Sequence, residues 1–143
     1  MSRKLIMVLC LALLSSLYLP IIASANDLQS SEYIGITPFW QNIQSITPMM
    51  EINNGAASMA GSVIGNIGTE SISVNATLVR VNANGTTTHI AGWSDISVEG
   101  RIWTWQRTHF VARGHDYRLT LTATAVRNGV SETVTHSVTV RAN

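Results

Sequence analysis

From about residue 40 onward, apolar and polar positions alternate along the chain with a period of two. Ile72, Val74, Ala76 and Leu78 fall on one parity, with Ser71, Ser73, Asn75 and Thr77 on the other. Tyr117, Leu119, Leu121, Ala123 and Ala125 repeat the pattern against Arg118, Thr120, Thr122 and Thr124, and Val134, His136, Val138 and Val140 do so against Thr133, Thr135, Ser137 and Thr139. Successive side chains of a strand point to opposite faces, so each run predicts a strand with one buried and one wet face. No comparable stretch after residue 25 carries the 3.6-residue period of a helix. Turn chemistry divides the runs: Asn53-Asn54-Gly55, Asn66-Ile67-Gly68, Asn82-Ala83-Asn84-Gly85, Glu99-Gly100, Arg113-Gly114 and Arg127-Asn128-Gly129 each supply residues tolerant of positive φ. The predicted strands run over roughly 43–52, 56–64, 71–81, 87–96, 101–111, 116–126 and 131–141. Short alternating strands at this spacing predict an all-β fold, an antiparallel two-sheet sandwich of about seven strands. Pro38 and Pro48 suit a lead-in or an edge strand, because proline cannot donate to a central ladder.

The first 25 residues read as an address rather than as part of the fold. Arg3 and Lys4 precede a nearly unbroken apolar run from Leu5 to Ala23, Pro20 interrupts it, and Ala23-Ser24-Ala25 supplies the small-x-small pattern that signal peptidase reads. The expectation is a signal-peptide helix over 1–25, cleaved after Ala25 by the Sec route. The proline and the Ala-x-Ala site favour cleavage over an uncleaved membrane anchor. Leu9 before Cys10 is too large for lipoprotein processing. Residues 26–38 lack a clear pattern and read as a flexible arm, which leaves 39–143 for the sandwich. The protein is therefore expected to be secreted, with no membrane partner after cleavage.

Composition narrows the chemistry. The 143 residues are 45% hydrophobic and 12% charged with a formal net charge of +1, which suits one folded domain and no nucleic-acid partner. Beyond residue 25 there is no cysteine and no lysine. Disulfides, thiol nucleophiles, thiolate metal sites and lysine isopeptide cross-links are excluded there. A secreted domain without disulfides points to a bacterial source.

Gly114-His115-Asp116-Tyr117-Arg118, followed by the alternating run to Ala125, resembles the G-x-x-Y entry to strand F of immunoglobulin-like and fibronectin type III domains. The resemblance implies that Tyr117, with Gly114, forms a tyrosine corner, its hydroxyl returning to nearby backbone. Leu119–Ala125, the turn at Arg127-Asn128-Gly129 and Glu132–Val140 resemble the F–G hairpin. The cysteine pair and strand-C tryptophan of antibody domains are missing. With Trp93 and the leader, the whole layout is similar to small secreted single-domain proteins of Gram-positive bacteria, a group that implies a fold and an address but no activity.

One segment stands out as a candidate binding surface, Arg101-Ile102-Trp103-Thr104-Trp105-Gln106-Arg107. On a strand, Trp103 and Trp105 stand side by side about 7 Å apart, flanked by Arg101 and Arg107. Paired indole faces with arginine forks would suit a carbohydrate or anionic cell-wall glycan. The competing reading puts both tryptophans in the core, and parity does not decide, because Ile102 and Phe110 share the other face with Thr104, Gln106 and Thr108. His89, His109, His115 and His136 are scattered without metal-ligand spacing, and His136 reads as a hydrogen-bonded core residue. Met49-Met50 and Met59 read as gap-filling core, and Phe39-Trp40 as a cover over an open end. No metal and no cofactor are expected. No G-x-S-x-G or H-E-x-x-H occurs, and the acids, Glu132 among them, mostly flank turns as solvated charges.

The expected function is that of a secreted non-catalytic module binding an extracellular protein, or serving a structural role. Glycan binding through Trp103 and Trp105 is the alternative, and a small secreted hydrolase or toxin a distant one. Any unpaired sheet edge also offers a place to add a partner's strand.

Overall fold

The computed structural model describes residues 40–143. The expected leader with its Ala23 and Ala25 cleavage site, the expected arm over 26–38, and Phe39 lie outside the described residues. Seven antiparallel strands form: β1 (Ile43–Asn53), β2 (Ala56–Gly65), β3 (Thr69–Val81), β4 (Thr87–Glu99), β5 (Ile102–Phe110), β6 (Asp116–Arg127) and β7 (Val130–Arg141). They make a three-stranded sheet in the order β1-β2-β5 and a four-stranded sheet in the order β4-β3-β6-β7. Among the described residues the structure is all-β, and the two sheets share one core in the manner of a sandwich.

The alternation in the sequence builds that core directly. Ile72, Val74, Ala76 and Leu78 of β3 and Tyr117, Leu119, Leu121, Ala123 and Ala125 of β6 are buried, while the intervening Ser and Thr face outward. Ile43 and Ile46 of β1 and Met59 and Val63 of β2 meet them from the other sheet. Each fully buried aliphatic side chain contributes about 1.5–3 kcal/mol of transfer free energy. On the outer face of the four-stranded sheet, hydroxyls pair across strands, Thr122 with Thr135 at 3.0 Å and Thr124 with Thr133 at 2.9 Å.

Two hairpins close through two-residue turns in which both residues have positive φ. Asn54 and Gly55 sit at 51° and 79°, and Asn128 and Gly129 at 51° and 71°. Mirror-image turns of this kind match the right-handed twist of the flanking strands, which explains the Asn-Gly pairs there.

β4 runs to Glu99 rather than stopping near Ile96, because it absorbs an irregularity instead of ending at it. Trp93 pairs with Ala76 and Ile96 with Val74, leaving Ser94 and Asp95 opposite the single residue Asn75. Asp95 adopts a φ of 56°, and its N–H donates to the Asn75 side chain at 2.9 Å. Two side chains depart from their expected burial. Met49 is 51% exposed on the outer face of β1, while Met59 and Met50 pack inward as anticipated. His136 is exposed: it shares the parity of buried Val134 and of Val138, which packs against the core, but β7 is the last strand of its sheet and its inward face is covered only in part.

Candidate functional site

β5 holds the residues singled out for binding, and burial divides them. Trp103 is 2% and Trp105 8% exposed, whereas Arg101 and Arg107 are exposed. The two indoles do stand side by side, stacked with centroids 6.4 Å apart and planes 15° from parallel, but inside the sandwich. Trp93 of β4 meets Trp105 edge-on at 5.2 Å and contacts His109 at 6.4 Å, closing this flank of the core. The strand-face platform for a sugar ring is therefore absent, and that reading is corrected.

The physical reason lies on β2. A Cβ at Gly61 would come within 3.0 Å of the Trp103 ring and 2.7 Å of Leu121 Cδ1, so the space above this glycine is what the indole fills. Both indole Nε1 atoms are buried without a hydrogen-bond partner among the described residues.

With the tryptophans inward, the other parity of β5 faces solvent: Ile102, Thr104, Gln106, Thr108 and Phe110. Ile102 is 57% and Phe110 80% exposed, large apolar groups at the two ends of the strand. The same five residues present the strand's backbone edge. Arg101 and Val111, just beyond the ends of β5, bond on the β2 side, through Gly65 N–H to the Arg101 carbonyl at 2.7 Å and Val111 N–H to the carbonyl of Gly55, just before β2, at 2.8 Å. In an antiparallel ladder a residue's N–H and C=O point the same way and successive residues alternate. The odd-numbered residues therefore bond to β2, and the even-numbered ones point their N–H and C=O away from the sheet. The pairing with β2 runs from Ile102 to Phe110 without a register shift. One side chain lies over this edge: Arg107 Nη1 donates to the Gln106 carbonyl at 3.0 Å.

The other three edges are guarded. β1 carries a bulge between Ile43 and Ser45, and Pro48 lies within it. β4 has two irregularities, at Asn75 and near Val79. β7 is flanked by β1 and by the segment leading into it, which Glu132 holds. Bulges, proline, covering chain and charged side chains are the usual means of blunting an edge against strand addition; among the described residues β5 has only the last, in Arg107.

Glu132 is a structural residue that the sequence did not reveal. Its carboxylate accepts the backbone N–H groups of Gln41 at 2.9 Å, Asn42 at 2.7 Å and Ile43 at 3.0 Å, fastening the start of β1 to β7. Asn42 completes the clamp, donating to the Val130 carbonyl at 2.9 Å and accepting from the Thr69 hydroxyl at 3.1 Å. Partial burial acts to raise the Glu132 pKa, but the three N–H donors outweigh it and hold the carboxyl below its ordinary value. An acid beside a turn carries no local signal of this role, because its partners lie 89 to 91 residues away.

At the opposite end, the Tyr117 hydroxyl donates to the Ala112 carbonyl at 2.9 Å, with Gly114 at a φ of 80° between them. Among the described residues no three His, Cys, Asp or Glu side chains gather as a metal-ligating group. A shallow depression of about 240 Å³ lies on the outer face over Ala60, bounded by Met49, Glu51 and Gln106. No protein-family model matches this chain, and no curated protein matches it.

Proposed function

We propose that this chain is a secreted, non-catalytic immunoglobulin-like module that binds an extracellular protein by strand addition at β5. The observation that carries the reading is the contrast between edges: β1, β4 and β7 are bulged, proline-bearing or covered, while β5 is regular and flanked by exposed Ile102 and Phe110. Main-chain hydrogen bonds to an added strand supply affinity, and the side chains of the outward parity supply specificity. The strand order β1-β2-β5 and β4-β3-β6-β7, with the Tyr117 hydroxyl on the Ala112 carbonyl, supports kinship with the fibronectin type III arrangement. The leader over 1–25 supports export, and the likeness to small secreted proteins of Gram-positive bacteria supports such a source.

The test is to express the full chain in a Gram-positive host with a photo-crosslinking residue at Gln106 or, as a control, at Thr122 on the opposite sheet. The reading expects protein in the medium beginning at Asn26, and protein cross-links from position 106 but not from 122. Retention in the cell with residues 1–25 attached would overturn the address, and cross-links from 122 alone would overturn the surface.

A further inference from the structure

The residues of β5 complement themselves. An antiparallel pair of two β5 strands related by a two-fold axis at Gln106 places Ile102 opposite Phe110, Thr104 opposite Thr108 and Gln106 opposite its own copy. These are the residues whose N–H and C=O point away from β2, so this register makes every outward pair a hydrogen-bonded pair. Five such pairs give about ten backbone bonds. The largest exposed apolar groups of the strand, Ile102 and Phe110, then cover each other at both ends. On the other face the same register sets Arg107 against Trp105 and His109 against Trp103 of the second copy, with no like charges opposed. A register two residues away sets Ile102 against Thr108 or against Ala112 beyond the strand's end, and Phe110 against Gly100 or Thr104, so the two large apolar groups no longer cover each other.

We infer that the partner of β5 is a second copy of this chain, joined through an isologous β5–β5 pair centred on Gln106 into a continuous six-stranded sheet. The inference rests on the strand-addition reading above and names its partner. It removes the one open edge of the three-stranded sheet and buries Ile102 and Phe110 in a single step. The Arg107 guanidinium, which covers the Gln106 carbonyl in the single chain, gives up that bond to the N–H of the opposing Gln106. Arg107 thus stands beside the two-fold position, over the Gln106 carbonyl, and competes with association.

Sedimentation equilibrium of the protein produced from the full-length gene tests the pairing, and four variants test its register. The wild type is expected at twice the monomer mass. Thr104→Lys with Thr108→Lys places like charges opposite each other twice and should weaken the dimer roughly tenfold or more. Thr104→Lys with Thr108→Glu places opposite charges there and should retain it. Both variants change only exposed side chains of the same strand, so a general loss of folding would affect them alike and show in their thermal melts. Under oxidation, Gln106→Cys should link two copies, because symmetry-related positions in this register fall within disulfide reach. Thr104→Cys should not, since its copies lie four residues apart. A monomer at every concentration, equal affinities for the two charge variants, or linkage through position 104 would overturn the inference. A monomer that still cross-links from position 106 to a different protein would overturn self-pairing alone and leave strand addition standing.

Discussion

Replacing Glu132 tests whether one carboxylate secures the entry of the chain into the fold. Its oxygens take three consecutive backbone N–H groups at 2.7 to 3.0 Å, two of them from the buried residues Asn42 and Ile43. Hydrogen bonds to a charged group contribute about 1.5–3 kcal/mol each when well buried, and a buried N–H left without a partner costs about 1–3 kcal/mol. Glu132 is itself only partly buried, so water screens part of the interaction and the lower ends of these ranges apply. Glu132→Gln keeps the length and one acceptor but loses the charge, and should destabilise by about 2–4 kcal/mol, or roughly 10–20 °C in Tm. The pH dependence identifies the charge as the cause. A carboxyl held below its ordinary value of 4.5 contributes stability that is present above that value and is lost as pH falls through the lowered one. The difference in Tm between wild type and Glu132→Gln should be constant near neutrality and shrink in acid, chiefly below pH 4.5. Calorimetry from pH 3 to 7 measures it. A gap that stays unchanged across this range, or a variant as stable as wild type at pH 7, would refute the argument.

Three further outcomes follow from the core. Gly61→Ala forces a methyl against Trp103 and Leu121 and should cost about 1–3 kcal/mol; the loss should shrink when combined with Trp103→Phe, which a double-mutant cycle by denaturant unfolding would show. Tyr117→Phe removes one part-buried hydrogen bond to the carbonyl of Ala112, itself an exposed residue, so it should cost about 1 kcal/mol, seen as a lower denaturation midpoint at unchanged slope. Trp103→Phe with Trp105→Phe should remove blue-shifted, acrylamide-shielded emission and destabilise by at least about 2 kcal/mol. Red-shifted emission with unchanged stability would instead restore a sugar-binding platform.

Local signals carried the strands, and long-range partners carried what the sequence concealed. Alternation in β3 and β6 is strict because both strands lie inside their sheet, with one face entirely on the core. The Asn-Gly turns are equally legible, since the positive φ they need is a property of the two residues themselves. β5 is different. Both of its parities contain large apolar residues, and the choice between them depends on the room over Gly61, more than 40 residues earlier in the chain. The same difficulty hid the edge: Ile102 and Phe110 look like core until Trp103 and Trp105 claim it. His136 shows the converse error, an inward parity on the last strand of a sheet, where the core covers Val134 and Val138 but not the position between them. The clamp of Glu132 on residues 41–43 depends wholly on the packing of β1 along β7.

Strand addition at β5 requires that the outward backbone groups of this regular edge be free in the single chain. Hydrogen exchange resolved to single amides tests it most directly, on dilute and on concentrated protein. In dilute protein the amides of Trp103, Trp105 and Arg107, bonded to β2, should exchange slowly while those of Thr104, Gln106 and Thr108 exchange fast. Raising the concentration should protect the second set alone. Thr104, Gln106 and Thr108 amides already protected in the dilute monomer, or protection on concentration that falls elsewhere on the molecule, would contradict it.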